Sequence, residues 1–203
     1  MSWSIVIQAG GQSQRMGQNK ALMPFLGQPL IERIVQRLMM KKPAADEILI
    51  NTNQPDLFSF LDLAMFPDLI AGKGPLGGLF TALSVAKFPL VAVVACDMPF
   101  INPQLLGLER DLLGVDEWDV VLPRSNDGLE PLHAVYRKDV CLPAIRMALN
   151  EDRLRMISWL GDVKVREIGI EELVIIDPDL RSFMNVNTPD EFKRAEQLER
   201  PFE

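Results

Sequence analysis

The chain holds one histidine, one tyrosine and two cysteines among 203 residues. Cys96 and Cys141 each lie inside an apolar segment, so buried, reduced thiols are expected rather than a disulfide or a metal-binding pair. Cationic charge is also short: 21 Lys and Arg stand against 28 Asp and Glu, giving a net charge of -7 and a pI near 4.9. That balance argues against a broad nucleic-acid or membrane surface. No apolar stretch approaches the roughly 20 residues that span a bilayer. Trp3 to Ala9 is too short for a signal peptide and lacks a preceding basic region. A soluble, cytoplasmic protein is expected. No linker divides the chain, and 48% apolar content suits a single domain, residues 1–203, around one continuous core.

What is present is concentrated near the start. The β-branched run Ile5-Val6-Ile7 passes through Gln8 and Ala9 into Gly10 and Gly11, then into a polar loop with Ser13, Arg15, Gly17 and Lys20. Helical periodicity begins near Leu30. This order reads as strand, anion-binding loop, helix. The glycines permit positive φ and close approach to the backbone, so successive amide N–H groups can converge on phosphate oxygens while Arg15 and Lys20 supply charge. Polyphosphate binding is the chemistry implied. A Walker A loop needs lysine directly after its last glycine and then Ser or Thr, but Gly17 is followed by Gln18 and Asn19. The dinucleotide fingerprint needs G-x-G-x-x-G spacing, which is absent too. The segment instead resembles A-G-G-x-S-x-R-M-G-x-x-K, the signature loop of the molybdenum cofactor guanylyltransferase (MobA) family of nucleotidyltransferases. Gln8 stands where that family usually has Leu, a position expected to act through its backbone.

Further motifs follow in the order that resemblance implies. Ile48 to Ile50 reads as a strand running into Asn51-Thr52-Asn53, where Asn51 matches the nucleotide-holding asparagine. Asn53 and an ordinary Asn-rich turn stay open as alternatives. Asp68 precedes Gly72 to Gly78, which resembles the D…GPLxG element. Asp68 would contact the nucleotide, and a loop carrying Gly74, Pro75 and Leu76 would close over base and ribose ahead of a helix over 79–86. Leu90 to Cys96 has no polar residue, as expected of a central parallel strand covered on both faces, and ends at Asp97. Open α/β sheets bind ligands at the carboxyl ends of their strands, and a carboxylate there needs exposure or a cation. Asp97 is the expected Mg²⁺ ligand, supported by the likeness of residues 96–101 to C-D-x-P-F/Y-I. Asn102 suits the cap of a helix opening at Pro103.

His133 invites assignment as a general base, but local pairing on a strand over 132–136 fits it better. Glu130-Pro131-Leu132 resembles an element near the second substrate, so His133 could border that pocket. A helix over 140–149 leads to Arg153 and Arg155, candidate phosphate contacts to the pterin or solvated charges. Thr188, Pro189 and Glu191 specify the start of a last helix. Nothing in that cap calls for Asn185 and Asn187, which match the closing N-V-N-T-P motif lining the acceptor side.

The expected fold class is α/β: a three-layer Rossmann-like nucleotidyltransferase fold whose mostly parallel sheet has about seven strands, one antiparallel near 132–136. The resemblance implies transfer of GMP from GTP to Mo-molybdopterin with release of pyrophosphate. Arg15, Lys20 and Asp97 would be catalytic, with residues 8–11, Ser13, Lys20, Asn51, Asp68, Gly74, Pro75, Leu76 and Asp97 on the nucleotide. Molybdopterin-delivery proteins and molybdoenzyme chaperones are the implied macromolecular partners. A cytidylyltransferase using CTP is the nearest rival. Ala9-Gly10-Gly11, Cys96 to Pro99 and Asn185 to Pro189 all favour GTP against that group's A-A-G, G-D-Q-P and D-x-D-T-P. A sugar-phosphate nucleotidyltransferase and a catalytically silent nucleotide-binding or cofactor-delivery module are more distant readings.

Overall fold

The structure is a computed structural model, which describes residues 1–10, 19–115 and 117–199. Its strands are β1 (Trp3–Gln8), β2 (Pro24–Phe25), β3 (Gln28–Pro29), β4 (Glu47–Asn51), β5 (Ala64–Phe66), β6 (Leu90–Ala95), β7 (Val120–Ser125), β8 (Gly128–Leu129), β9 (His133–Arg137) and β10 (Val165–Ile168). The helices are α1 (Leu30–Met40), α2 (Gly74–Val85), α3 (Pro103–Val115), α4 (Lys138–Asn150), α5 (Ile170–Ile176) and α6 (Pro189–Glu199). One sheet runs β10-β7-β9-β6-β1-β4-β5, with β8 paired to β7. β9 is antiparallel to both β6 and β7, and the rest of the path is parallel. The expected mostly parallel sheet is therefore present, and its one extra strand is the two-residue β8 of a hairpin.

Alternation along the strands assigns the two faces. Trp3, Ile5 and Ile7 of β1 pack with α1, α3 and α6, whereas Val6 joins α2 and α4 on the opposite face. Six apolar residues of β6 are buried on both sides, as expected for a covered central strand. β1 lies between β4 and β6, in register Gln8↔Asn51 and Gln8↔Ala95, so three carboxyl ends open at one edge. No described helix is long and apolar enough to cross a membrane.

Two features differ from expectation. β2 and β3 form a tight hairpin through Leu26 and Gly27, both at positive φ, ahead of α1. Residues 74–78 belong to α2 and are not a loop. Pro75 favours an early helix start. Gly77 and Gly78 lie in the helix because their faces are closely approached: a Cβ at Gly77 would stand 2.9 Å from Lys73 Cβ, and one at Gly78 3.0 Å from Gln8 Oε1. Leu76, expected on the nucleotide, is instead fully buried in the α2/α4 core, since the helix turns it onto the sheet.

Candidate active site

A cleft of about 570 Å³ opens where β1, β4 and β6 end. Gln8, Ala9, Gly10, Lys20, Asn51, Asp68, Gly74, Pro75 and Asp97 line it, joined by Asn19, Asn53, Gly72, Gly78 and Leu132. Gly11, Ser13 and Arg15 lie outside the described residues.

Backbone bonds between strand ends set the floor. Ala9 N donates to Asn51 O at 2.9 Å and Cys96 N to Gln8 O at 3.1 Å. The register is thus prolonged to bring residues 9, 51 and 96 side by side. Asp97 follows directly. Burial pushes its carboxyl above the usual carboxylate range, opposed by the Lys20 ammonium 3.5 Å away. Lys20 begins a single 3₁₀ turn, Lys20–Leu22, capped by Asn19 through Ala21 N→Oδ1 at 3.1 Å. Ala21 is fully buried, which anchors the turn and aims the lysine into the cleft. Burial and the neighbouring Asp97 push the Cys96 thiol up to about 12, so it stays protonated and is no nucleophile.

At the β4 end, side-chain amides grip a carboxylate. Asn51 Nδ2 donates to Asp68 Oδ1 at 3.1 Å and to Phe66 O at 3.1 Å. Asn53 Nδ2 donates to Asp68 Oδ2 at 2.8 Å, and Asp68 N returns a bond to Asn53 Oδ1. Asn51 and Asn53, the sequence alternatives for holding the nucleotide, each hold one oxygen of Asp68.

The closing motif divides. Val186 is fully buried and its N–H donates to Asp97 O at 2.9 Å, tying this segment to the end of β6. Asn187 reaches the site, its Oδ1 accepting from Lys20 Nζ. Asn185 makes no side-chain hydrogen bond to Lys20 or Asp97 among the described residues; its Nδ2 donates to Phe183 O at 3.4 Å. The Thr188/Glu191 cap forms as expected, with Glu191 N to Thr188 Oγ1 at 3.3 Å and Thr188 N to Glu191 Oε2 at 2.9 Å.

Arg153 and Arg155 are not brought to the cleft. The Arg153 guanidinium serves its own turn, donating to Glu151, to Ser158 O and to Asp162. These three bonds brace the loop from Glu151 to Asp162. Arg155 is exposed. His133 is fully buried, with Nδ1 3.0 Å from Glu109 Oε1 and its ring edge-on to Phe183. It does not line the cleft, although Leu132 beside it does. Its partner Glu109 was missed in the sequence, where it opens the charged triplet Glu109-Arg110-Asp111 of an otherwise apolar helix and does not stand out from a solvated face.

No group of three or more His, Cys, Asp or Glu converges among the described residues. A single oxygen donor such as Asp97, whose burial outweighs the Lys20 charge beside it, nevertheless fits a hard divalent ion that takes one or two protein carboxylates plus ligand oxygens.

Comparison with known proteins agrees with this geometry. Residues 5–163 match the MobA-like NTP transferase domain. A probable molybdenum cofactor guanylyltransferase of Pelotomaculum thermopropionicum is 39% identical over 94% of this chain and 90% of its own length. A molybdenum cofactor guanylyltransferase of Desulfosudis oleivorans is 33% identical over 94% of this chain and 93% of its own. The crystal structure of molybdopterin-guanine dinucleotide biosynthesis protein A from Archaeoglobus fulgidus superposes with a TM-score of 0.82 at 27% identity, covering 96% of this chain and 97% of that one. A 4-diphosphocytidyl-2C-methyl-D-erythritol synthase from Anaerococcus prevotii, 14% identical, shares the fold with a TM-score of 0.71 over 98% of this chain and 96% of that one. With the strand-end cleft and the matched span both on one continuous sheet, this chain belongs to the MobA-like NTP transferase family.

Proposed function

We propose that the protein transfers GMP from GTP to Mo-molybdopterin, releasing pyrophosphate and forming the molybdopterin guanine dinucleotide. The observation that carries this reading is the convergence of Lys20, Asp97 and Asn187 at one end of a cleft whose other end holds the Asn51, Asn53 and Asp68 cluster. One end suits phosphates and the other a base. The names of the relatives supply the nucleotide and the acceptor.

In the proposed reaction a terminal phosphate oxygen of the pterin attacks the α-phosphorus of GTP. The new P–O bond forms as the bond to the β-phosphate breaks, and pyrophosphate carries away the electron pair. The nucleophile is a phosphate monoester whose second pKa near 6 leaves it ionised at neutral pH, so no general base is required. Lys20 would neutralise triphosphate charge, the backbone from Ala9 to Gly11 would cradle it together with Ser13 and Arg15, and Asn187 would position the acceptor. Asp97 would hold Mg²⁺, which supplies charge neutralisation to the phosphates when bound.

The continuous sheet supports one nucleotidyltransferase unit over residues 1–203. The proposed compartment is the cytoplasm, where the two free cysteines stay reduced. Delivery of the pterin by a molybdopterin-carrying protein and hand-over to a molybdoenzyme chaperone complete the reading. The test is pyrophosphate release with Mo-molybdopterin and each of GTP, CTP and ATP in the presence of Mg²⁺. Release with GTP alone is expected; preference for CTP, or binding without release, would overturn it.

A further inference from the structure

Gln8 ends β1 on the α2 face of the sheet, beside its register partner Asn51. The residue lines the cleft, yet its Nε2 is buried and has no hydrogen-bond partner among the described residues. A buried donor left unpaired is costly unless something else satisfies it.

Its surroundings are rich in acceptors. Asn51 spends its nitrogen on Phe66 O and Asp68 Oδ1, and Asn53 spends one N–H on Asp68 Oδ2. Asp68, with two oxygens each accepting one amide bond, keeps acceptor capacity. Asn51 Oδ1 has no donor among the described residues, and it lies 3.2 Å from the point where a Cβ on Gly78 would stand, with Gln8 Oε1 3.0 Å from that point. Of these three amides, Gln8 alone has a nitrogen with no acceptor among the described residues. The wall therefore offers several acceptors and one buried amide nitrogen with no acceptor among the described residues.

Guanine has the complementary edge: the acceptor O6 beside the donors N1–H and N2–H₂. Adenine and cytosine place a bare ring nitrogen where guanine has N1–H, which would set acceptor against acceptor.

We propose that Gln8 determines nucleotide specificity through its side chain, donating Nε2–H to guanine O6 while Asp68 and Asn51 oxygens accept from N1–H and the N2 amine. This rests on the GTP reading above and extends it to a side chain expected to contribute only its backbone. Glycine at 78 is part of the same arrangement, since a side chain there would crowd both amide oxygens.

The test compares Mg²⁺-loaded GTP, ITP and 6-thio-GTP by calorimetry on the full chain. ITP lacks the N2 amine but keeps O6, and 6-thio-GTP keeps both donors but replaces O6 with a weaker sulfur acceptor. Gln8→Leu, which removes the polar atoms at similar volume, should weaken GTP and ITP about three- to tenfold and leave 6-thio-GTP nearly unchanged. Gln8→Glu, near-isosteric but without the donor, should weaken GTP at least as much and serves if the leucine variant does not fold. Equal losses for all three nucleotides would show a packing role, and no loss would show no contact; either overturns the inference. If wild type prefers CTP or ATP, the guanine reading fails with it. A GTP-selective wild type with insensitive Gln8 variants sinks only the Gln8 assignment.

Discussion

Lys20 and Asn187 meet across 167 positions of sequence: the lysine ammonium donates to the asparagine carbonyl oxygen while standing 3.5 Å from the Asp97 carboxylate. The first glycine-rich segment and the last motif before α6 are thus joined at the end of the central strand. Val186 N–H, bonded to Asp97 O, fixes the same junction through the backbone. In the proposed reaction, a lysine shared between carboxylate and amide would be drawn to arriving phosphates, and the asparagine it releases would be free for the acceptor.

The link predicts coupled losses. Lys20→Ala should weaken GTP binding, whereas Asn187→Ala should leave it within about twofold and reduce transfer to subsaturating pterin about tenfold, the scale of one neutral hydrogen bond. In the double variant the two effects on transfer should not add, because the groups touch. Strict additivity in steady-state kinetics would mean that the contact carries no function.

Asp97→Asn should lower the rate by about 10²-fold or more at saturating GTP, since charge neutralisation at the phosphates is lost. Folding should survive: burial already disfavours the Asp97 charge, so a neutral amide places no new burden on the core. Wild-type activity should likewise disappear with a chelator and return with added Mg²⁺. A fully active variant with normal metal dependence would remove Asp97 from the metal site.

Two glycine substitutions should have opposite signatures. Gly78→Ala meets only the ends of the Gln8 and Asn51 side chains, and alanine favours a helix interior by up to about 1 kcal/mol. Its melting temperature should hold or rise while GTP affinity falls. Gly107→Ala would put its Cβ 2.4 Å from Pro43 Cγ, so the ring or the helix must shift and about 1–3 kcal/mol of stability should be lost with GTP affinity intact. Thermal melts and calorimetry on both variants check the pair.

Glu109 gives a pH signature. Burial pushes its carboxyl up to about 7, against the favourable effect of His133. A carboxyl raised in the fold keeps its proton after the unfolded chain has lost its own. Its contribution is therefore largest below about pH 4.5 and declines until about pH 7. Glu109→Gln cannot ionise, so the wild-type melting temperature should fall relative to the variant between pH 5 and 7. Parallel curves for the two proteins would mean that Glu109 does not titrate in that window.

Arg153→Ala should leave the pterin KM unchanged and loosen the turn over 151–162, seen as faster amide exchange there. A raised pterin KM with no change in exchange would restore the phosphate-contact reading.

Much of this was legible in one dimension. Short-range chemistry sufficed for the apolar β6, the Pro and Asn cap signals of α3 and α6, and the strand-to-loop passage at Ala9 and Gly10, because alternation, capping and backbone freedom act over a few residues. The place of Asp97 followed from the same logic, since a charge after a fully buried strand has one edge to occupy. Length and a low cation content bounded the class. Tertiary structure alone decided the rest. Leu76 went to the core and Gly74 into a helix because α2 packs directly on β1 and β4, a contact invisible in the local pattern. Asn187 meets Lys20 while Asn185 bonds Phe183 O, and Arg153 is paired with Glu151 and Asp162. Side-chain hydrogen bonds are chosen by proximity in space, and proximity between residues 167 positions apart is set by the sheet order, not by the letters around either one.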